Sequence, residues 1–467
     1  MSEEKNQVNH MISPEILREY DIRGIFGQNL FIEDAYDIGR AFGTFIVRKG
    51  LKKICVGYDC RSSSDSLANN LIKGLVNTGA EVISLGLCHT PMMYYGVHKL
   101  NLDAGIMITG SHNPPEYNGF KFMYEKSPFY GEEIKNLGDA ILRKDYLNGN
   151  GREIILNGVF SQYVSDIIDG FSFSDDMKIA WDVGNGATSN AIKAITAIIP
   201  GKHHILFEEI DGKFPNRFPD PTVEKNIEYL LNFVSYNNFD IGFAFDSDGD
   251  RLCVVDSSGK MLLSDQVLEV IAIDFLRKNP GAKIIADIKS YNRLFDTIKK
   301  NGGVGIMERS GHSFIKVSMQ TKGALLAGEM SGHFFFKDRW FGFDDGIYAA
   351  LRCLEIIGDN RNAFNNLDRG IVTPELRVTC SEDKKFSIVE SVKEKLKQDG
   401  IDIVDIDGVR VNTTKGWWLL RASNTQNALS LRIEAYSSND MRELKESIID
   451  YLGDSVENIR EVLENHG

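Results

Sequence analysis

The chain has 467 residues, of which 42% are hydrophobic, so it is long enough to bury several cores. At ~150 residues per domain, we expect three or four domains. Lys plus Arg number 53 and Asp plus Glu number 66, which gives a formal net charge of −13. This acidic balance disfavours nucleic acids and anionic membranes as partners, so an anionic substrate would need a locally basic cleft.

The six cysteines show neither the paired spacing of a zinc ribbon nor the density of a disulfide framework. The first ten residues are polar, and no run of 18 apolar residues occurs. We therefore expect a cytoplasmic protein without a membrane segment. Nothing in the sequence indicates an oligomeric state.

Short β-branched runs alternate with amphipathic stretches over most of the chain, which indicates repeated βα units. Predicted strands lie at residues 53–57, 81–85, 104–108, 178–181, 240–245, 283–286 and 323–327, and predicted helices at 64–76 and 91–99. From residue 374 the pattern changes to strands at 375–379, 408–411, 417–420 and 429–434, with helices at 388–397 and 441–451.

The predicted fold class is therefore α/β, with three consecutive mixed α/β domains and a C-terminal α+β domain around a central cleft. The predicted domains are residues 1–157, 158–260, 261–372 and 373–467.

The loop after the predicted strand at 104–108 reads TGSHNPP and contains Ser111. Pro114 and Pro115 hold the backbone extended and offer no amide hydrogens, so the loop presents the serine hydroxyl. Taken alone, the loop is also compatible with an ordinary Asn-Pro surface turn.

Asp246, Asp248 and Asp250 follow the apolar strand at 240–245. Three alternating carboxylates in a tight loop can converge on one hard cation, and Mg²⁺ fits oxygen ligands. A calcium EF-hand would need Gly and Glu where Arg251 and Ser257 stand.

Two alternatives stay open for this acidic loop. One is a solvated acidic turn. The other is an aspartyl-phosphate phosphatase or transferase of the haloacid dehalogenase type, in which Asp246 is the nucleophile and Lys289, Asp344 and Asp345 are its partners.

Two later loops suggest ligand binding. Residues 328–333 read GEMSGH, so Glu329 and Ser331 could accept from and donate to vicinal sugar hydroxyls. Residues 421–425 read RASNT and combine a guanidinium with small donors, which suits a phosphate. Each motif alone is also typical of a turn. All four loops lie at strand ends, where ligands bind in open α/β sheets, which supports a common cleft.

Together the four loops resemble those of the α-D-phosphohexomutases, and the resemblance covers about residues 18 to 435. The GEMSGH loop and REYDIRG at 18–24 look most like the phosphomannomutase/phosphoglucomutase branch. The resemblance implies four domains in a heart shape, sugar phosphates as substrates, and transfer of a phosphoryl group between C6 and C1 of a hexose. It further implies a phosphorylated Ser111, Mg²⁺, and a hexose 1,6-bisphosphate as intermediate or activator.

The resemblance also assigns the site residues. A phosphoserine beside three carboxylates exceeds the charge of one divalent ion, so cations must lie close by. The implied catalytic residues are Ser111, Arg23, Lys121, Arg251, Lys289 and His312, with Lys289 and His312 as candidate proton acceptors. The implied substrate-binding residues are Tyr20, His112, Glu329, Ser331, His333, Arg421, Ser423, Asn424, Thr425 and Arg432. The implied metal ligands are Ser111, Asp246, Asp248 and Asp250.

The chain departs from the family at Gln426 and Asn427, where a proline is usual, and this puts the rigidity of the phosphate loop in question. Phosphoglucosamine mutase activity and non-catalytic sugar-phosphate binding remain alternatives. Mannose and glucose differ only at C2, and the sequence does not separate them.

Overall fold

The computed structural model describes residues 11–365, 367, 370–423, 427–456 and 458–464. Within them the strands form four sheets that follow one another along the chain. The first three sheets mix parallel and antiparallel pairs, whereas the fourth pairs its strands antiparallel throughout. The predicted α/β fold class with a C-terminal α+β domain is confirmed.

The first sheet places the Ser111 loop at the end of a central strand. Its strands are β1 (Ile22–Ile25), β2 (Lys53–Tyr58), β3 (Glu81–Leu87), β4 (Ala104–Ile108), β5 (Tyr117–Tyr124), β6 (Ser127–Pro128) and β7 (Arg152–Ile155), and its helices are α1 (Ile32–Arg48), α2 (Ser64–Val76), α3 (Thr90–Lys99) and α4 (Glu132–Arg143). The order is β1-β5-β4-β2-β3-β7, with β6 beside β5. Strand β4 is apolar and buried at every position, as expected for a strand covered on both faces.

Helices α1 and α2 approach each other closely through glycines. A Cβ atom on Gly39 would overlap the carbonyl oxygen of Leu71, and one on Gly74 would overlap that of Tyr36. Glycine at both positions therefore permits the close packing of the two helices on the sheet.

The second sheet carries the acidic loop at the end of its central strand. Its strands are β8 (Lys178–Asp182), β9 (Lys202–Leu206), β10 (Ile241–Phe245), β11 (Leu252–Val255) and β12 (Met261–Leu262), accompanied by α5 (Val159–Ile168), α6 (Ser189–Thr196) and α7 (Glu228–Tyr236). The order is β12-β11-β10-β8-β9. Strand β10 is fully buried, so the chain emerges from the core directly into Asp246.

The third sheet is smaller and has the order β14-β13-β15-β16. Its elements are α8 (Ser264–Lys278), β13 (Lys283–Asp287), α9 (Asn292–Lys300), β14 (Val304–Glu308), α10 (His312–Lys322), β15 (Leu326–Gly328), β16 (Phe334–Phe336) and α11 (Gly346–Asp359). The GEMSGH loop connects β15 to its antiparallel neighbour β16.

The fourth sheet packs one face on its own helices and the other on the third domain. Its elements are β17 (Ile371–Val372), β18 (Leu376–Thr379), α12 (Glu382–Gln398), β19 (Ile403–Val404), β20 (Val409–Thr413), β21 (Gly416–Ala422), β22 (Ala428–Ala435), α13 (Ser438–Leu452) and α14 (Ile459–Glu464). Because neighbouring side chains of a strand point to opposite faces, Trp418 joins the core of this domain, while Trp417 joins the large core to which the first three domains contribute.

Strand pairing favours small shifts of the predicted domain boundaries. Strand β12 pairs within the second sheet, and β17 pairs within the fourth. We therefore propose boundaries near residues 157, 262 and 370. Among the described residues, no helix is both long and apolar enough to cross a membrane.

Candidate active site

The loops of the four domains meet at a cavity of about 140 Å³. Ten of the residues predicted from the sequence line it, namely Tyr20, His112, Arg251, Lys289, His312, Glu329, Ser331, His333, Arg421 and Ser423. The described part of the chain thus brings residues more than 400 positions apart to one site.

Ser111 lies in a left-handed backbone conformation beside this cavity. Its φ angle is 48°, which a non-glycine residue adopts only when its surroundings hold it there. Its amide donates to Thr109 Oγ1 at 2.7 Å, and its hydroxyl donates to Asp246 Oδ2 at 3.1 Å. Nδ1 of the neighbouring His112 lies 3.4 Å from the Ser111 Oγ. The hydroxyl therefore faces the acidic loop.

The three aspartates of the acidic loop form one buried cluster, in which one carboxylate oxygen from each lies within 4.8 Å of the others. Burial and the two neighbouring carboxylates raise the pKa of Asp246 well above its usual range. Lys121 ion-pairs with Asp248 at 2.7 Å and also with Asp250. Arg251 Nε lies 3.8 Å from Asp246 Oδ2.

The residues present fit a hard cation. Oδ1 of Asp248 is buried and accepts no hydrogen bond from the described residues. Buried carboxylate oxygens without donors carry a desolvation cost that a bound cation would offset. Three carboxylates and the serine hydroxyl supply oxygen ligands of the type that Mg²⁺ prefers.

His333 connects the GEMSGH loop to the acidic loop. Its Nε2 lies 3.4 Å from Asp250 Oδ1, and its Nδ1 lies 2.8 Å from Ser331 Oγ and 3.3 Å from Glu329 Oε2. Burial lowers the pKa of His333, but Asp250 and Glu329 raise it above the usual value overall. Glu329 also accepts a hydrogen bond from Gly311 N at 2.6 Å. The loop is thus held by contacts to two others.

Two candidate proton acceptors line the cavity. His312 begins α10, and burial together with Lys316 holds its pKa well below the usual value, so its imidazole is neutral at pH 7 and can accept a proton. Lys289 Nζ lies 3.6 Å from both Asp287 Oδ2 and Glu375 Oε2.

Arg421 lies at the other end of the cavity and is held by a carboxylate. Its Nη2 and Nε contact Asp407 Oδ2 at 3.0 and 3.1 Å. The same oxygen accepts a hydrogen bond from Ser310 N at 3.0 Å, and Tyr20 donates its hydroxyl to Ser310 O. Residues from three domains therefore meet at Ser310. The predicted phosphate ligands Asn424 and Thr425, together with Gln426, lie outside the described residues.

Besides Lys121 in the acidic cluster, the predicted cations Arg23 and Arg432 do not line the cavity. Arg23 donates to Gly110 O at 2.7 Å and to Asn113 Oδ1 at 2.6 Å, so it supports the serine loop. Arg432 is 1% exposed and donates to Asp265 Oδ2 at 3.0 Å and to the carbonyl of Lys289. The substrate contact assigned to Arg432 stays a prediction, and β22 turns this side chain into the junction of the third and fourth domains.

Each of the four domains matches a description of a known protein family. The chain matches the descriptions "Phosphoglucomutase/phosphomannomutase, alpha/beta/alpha domain I" at residues 14–147, domain II at 161–259, domain III at 263–371 and the C-terminal domain at 375–451. The chain belongs to the phosphoglucomutase/phosphomannomutase family. This membership confirms the resemblance drawn from the four loops and the prediction of a phosphohexomutase.

Curated relatives of this family match over nearly the whole chain. A phosphomannomutase/phosphoglucomutase of Pseudomonas aeruginosa is 42% identical over 439 residues, covering 92% of this chain and 94% of that protein. A phosphoglucomutase of Neisseria meningitidis is 42% identical over 434 residues, covering 91% and 94%.

Solved structures agree with the fold. A phosphoglucomutase/phosphomannomutase family protein of Burkholderia thailandensis has a TM-score of 0.89 at 36% identity and covers 95% of this chain and 98% of that one. An N-acetylphosphoglucosamine mutase of Aspergillus fumigatus, described in complex with GlcNAc-6P and magnesium, shares the fold with a TM-score of 0.57 at 13% identity, covering 91% and 99%.

The alternative of an aspartyl-phosphate enzyme disagrees with these findings. Family membership points to a phosphohexomutase. In addition, Lys289 pairs with Asp287 and Glu375, and Asp344 pairs with Lys316 at 2.8 Å. Lys289 and Asp344 are therefore ion-paired with residues other than Asp246.

The sequence analysis missed several residues that line the cavity of this phosphohexomutase. Glu375 and Ser430 come from the fourth domain, and the Ser430 hydroxyl donates to Glu375 Oε1 at 2.5 Å. Burial raises the pKa of Glu375, but Lys289 and Ser430 lower it to about 2 overall. Glu375 follows a proline just before a strand, and such a position gives no signal of a cleft.

Proposed function

We propose that the chain interconverts the 6-phosphate and 1-phosphate of glucose and mannose through a phosphorylated Ser111. The observation that carries the proposal is the position of Ser111 Oγ. This hydroxyl lies 3.1 Å from the acidic cluster, and the adjoining cavity is lined by Arg251, Lys289 and Arg421. Phosphoryl transfer depends mainly on positioning and on neutralising phosphate oxygens, and this arrangement suits both.

Asp246, Asp248, Asp250 and Ser111 would hold Mg²⁺. When bound, the ion would neutralise negative charge on the oxygens of the transferred phosphoryl group. The assignment is supported by the buried Asp248 Oδ1, which accepts no hydrogen bond from the described residues, and by the magnesium named for the Aspergillus fumigatus protein.

In the first half of the reaction, a sugar hydroxyl oxygen forms a bond to phosphorus and the bond from phosphorus to Ser111 Oγ breaks. The hydroxyl proton passes to His312, whose neutral imidazole can accept it. Lys121 and Arg251 offset the charge left on the serine oxygen. The product of this half is a hexose 1,6-bisphosphate that stays in the cavity.

In the second half, the other phosphate of this bisphosphate returns to Ser111 Oγ, and the released sugar oxygen recovers the proton from His312. Arg421 and Ser423 would hold whichever phosphate is not being transferred, because both line the end of the cavity formed by the fourth domain. Lys289 would contact phosphate oxygens. Glu329 and Ser331 would hold sugar hydroxyls.

The chemical nature of the trapped phosphate tests this mechanism. The enzyme should carry one acid-stable phosphate ester on Ser111 after treatment with glucose 1,6-bisphosphate. An alkali-labile acyl phosphate on Asp246 would instead indicate a phosphatase or transferase. Binding of hexose phosphates without turnover would indicate a non-catalytic binding protein.

Substrate choice needs its own assay. The two sugars share the hydroxyls that Glu329 and Ser331 would hold, so the values of kcat/KM for glucose 1-phosphate and mannose 1-phosphate should lie within about tenfold, or ~1.4 kcal/mol. The 1-phosphates of glucosamine and N-acetylglucosamine serve as comparison substrates. A preference above about a thousandfold for one sugar, or for glucosamine 1-phosphate, would contradict dual use.

A further inference from the structure

A buried arginine lies directly beneath the Ser111 loop and takes no part in the steps above. Arg61 is 2% exposed. Its guanidinium donates to the carbonyl oxygens of Ser111 at 2.5 Å, Asn113 at 2.6 Å and Tyr117 at 3.0 Å, and also to that of Pro114. One side chain thus binds three carbonyl groups of the loop that carries Ser111 and the first carbonyl group of β5.

Asp59, the counter-ion of Arg61, is linked to the backbone amide of Ser111 through Thr109. Arg61 Nε lies 3.1 Å from Asp59 Oδ2. That carboxylate oxygen accepts the hydroxyl proton of Thr109 at 2.7 Å, and the threonine oxygen in turn accepts the amide proton of Ser111 at 2.7 Å. The ion pair therefore fixes both backbone groups of a residue whose φ angle is 48°.

Arg61 also links the serine loop to the acidic loop. Ser247, which lies between Asp246 and Asp248, donates its hydroxyl to Ser111 O at 2.6 Å, and an Arg61 nitrogen lies 3.4 Å from the same hydroxyl. The guanidinium stacks over the ring of Phe214 from the second domain, 5.0 Å from its centre. The position of Arg61 thus sets the separation between the serine and the acidic cluster.

The contact between the loop and the guanidinium leaves no room for adjustment. A Cβ atom on Gly110 would overlap Nε and Cζ of Arg61. A lysine ammonium is a single point donor and cannot reproduce the planar fork that spans several carbonyl groups. Substitution by lysine keeps the charge next to Asp59 but releases the loop.

We propose that Arg61 is a positioning residue for phosphoryl transfer, which holds Ser111 Oγ at the distance and angle that transfer requires. The inference rests on the proposed function. Transfer between a phosphoserine and a bound sugar is sensitive to displacement, since a shift of ~1 Å can lower a rate about a hundredfold. Arg61 is buried and does not line the cavity, so the affinity for substrate should change little.

The test compares Arg61→Lys with Arg352→Lys. Arg352 is also nearly fully buried and contacts both oxygens of Asp338 at 2.9 Å, but it belongs to the third domain and does not line the cavity. Each variant is assayed with glucose 1-phosphate, and rates are divided by the fraction of Ser111 phosphorylated, measured by intact mass.

We expect Arg61→Lys to lose about tenfold or more in kcat with KM changed less than about threefold, whereas Arg352→Lys keeps kcat within about twofold. Both should lower Tm. An Arg61→Lys enzyme with kcat within about twofold of wild type would overturn the inference, as would equal losses of kcat in the two variants.

A second pair of variants decides the question if Arg61→Lys does not fold. Thr109→Val removes the hydroxyl between Asp59 and the Ser111 amide without burying a new charge, and it should lower kcat about tenfold at nearly constant KM. Thr109→Ser restores the hydroxyl and should recover most of that loss. A Thr109→Val enzyme with unchanged kcat would contradict the inference.

A wild-type enzyme that neither turns over hexose phosphates nor accepts phosphate on Ser111 would refute the proposed function, and the inference with it.

Discussion

Replacing Arg421 with alanine tests the proposal that the fourth domain holds a phosphate at its end of the cavity. Arg421 is 6% exposed, and its Nη2 and Nε both contact one oxygen of Asp407. That oxygen also accepts the amide proton of Ser310. The substitution therefore has two consequences, because it removes a cation from the cavity and leaves the Asp407 carboxylate without its counter-ion.

These contacts determine how much kcat/KM the substitution should cost. A hydrogen bond to a charged group contributes ~1.5 to 3 kcal/mol, so Arg421→Ala should lower kcat/KM about 10- to 100-fold. The unpaired Asp407 adds repulsion toward the phosphate, since two unit charges ~4 Å apart interact by up to ~4 kcal/mol at an effective dielectric constant of about 20. Neutralising the carboxylate in the same chain, as Arg421→Ala/Asp407→Asn, should recover about three- to tenfold of the lost kcat/KM.

The assay measures conversion of glucose 1-phosphate, with phosphorylation of Ser111 checked by intact mass in every variant. Lys415→Ala is the matched control, because this cation of the same domain is exposed and pairs only with Glu443 on the surface among the contacts described. Its kcat/KM should stay within about twofold of wild type. The reasoning fails if Arg421→Ala also stays within that range, or if the double variant is less active than the single one.

Three further outcomes are expected. Ser111→Ala should be folded yet nearly inactive, and near-normal turnover would exclude the phosphoserine mechanism. Chelation of divalent cations and Asp248→Asn should each abolish turnover, and a rate unchanged by both would show that the acidic cluster holds no essential metal. Burial raises the pKa of Asp345 to about 7. Between about pH 4 and 7 the unfolded chain therefore releases this proton while the folded chain keeps it. As a result, the free energy of unfolding falls by up to ~1.4 kcal/mol per pH unit as pH rises. Asp345→Asn should therefore flatten the fall of Tm between about pH 5 and 7, and equal slopes in both proteins would contradict the shifted pKa.

The sequence by itself determined the elements and loops whose signals are local. The apolar runs of β4 and β10 predicted buried strands because a strand covered on both faces needs apolar side chains throughout. The TGSHNPP, DSDGD, GEMSGH and RASNT loops were each recognisable because their functional groups lie within a few residues of one another. Their placement at strand ends then predicted a shared cleft.

Only the tertiary structure decided which other side chains reach that cleft. Arg432 lies on β22 close to the phosphate loop, yet its side chain enters the junction with the third domain. Glu375 lines the cavity, and Arg61 lies beneath the serine loop, although neither belongs to a motif. Alternation along a strand tells which residues share a face, but not which domain covers that face. That choice depends on packing between residues hundreds of positions apart, and such contacts leave no pattern in the local sequence.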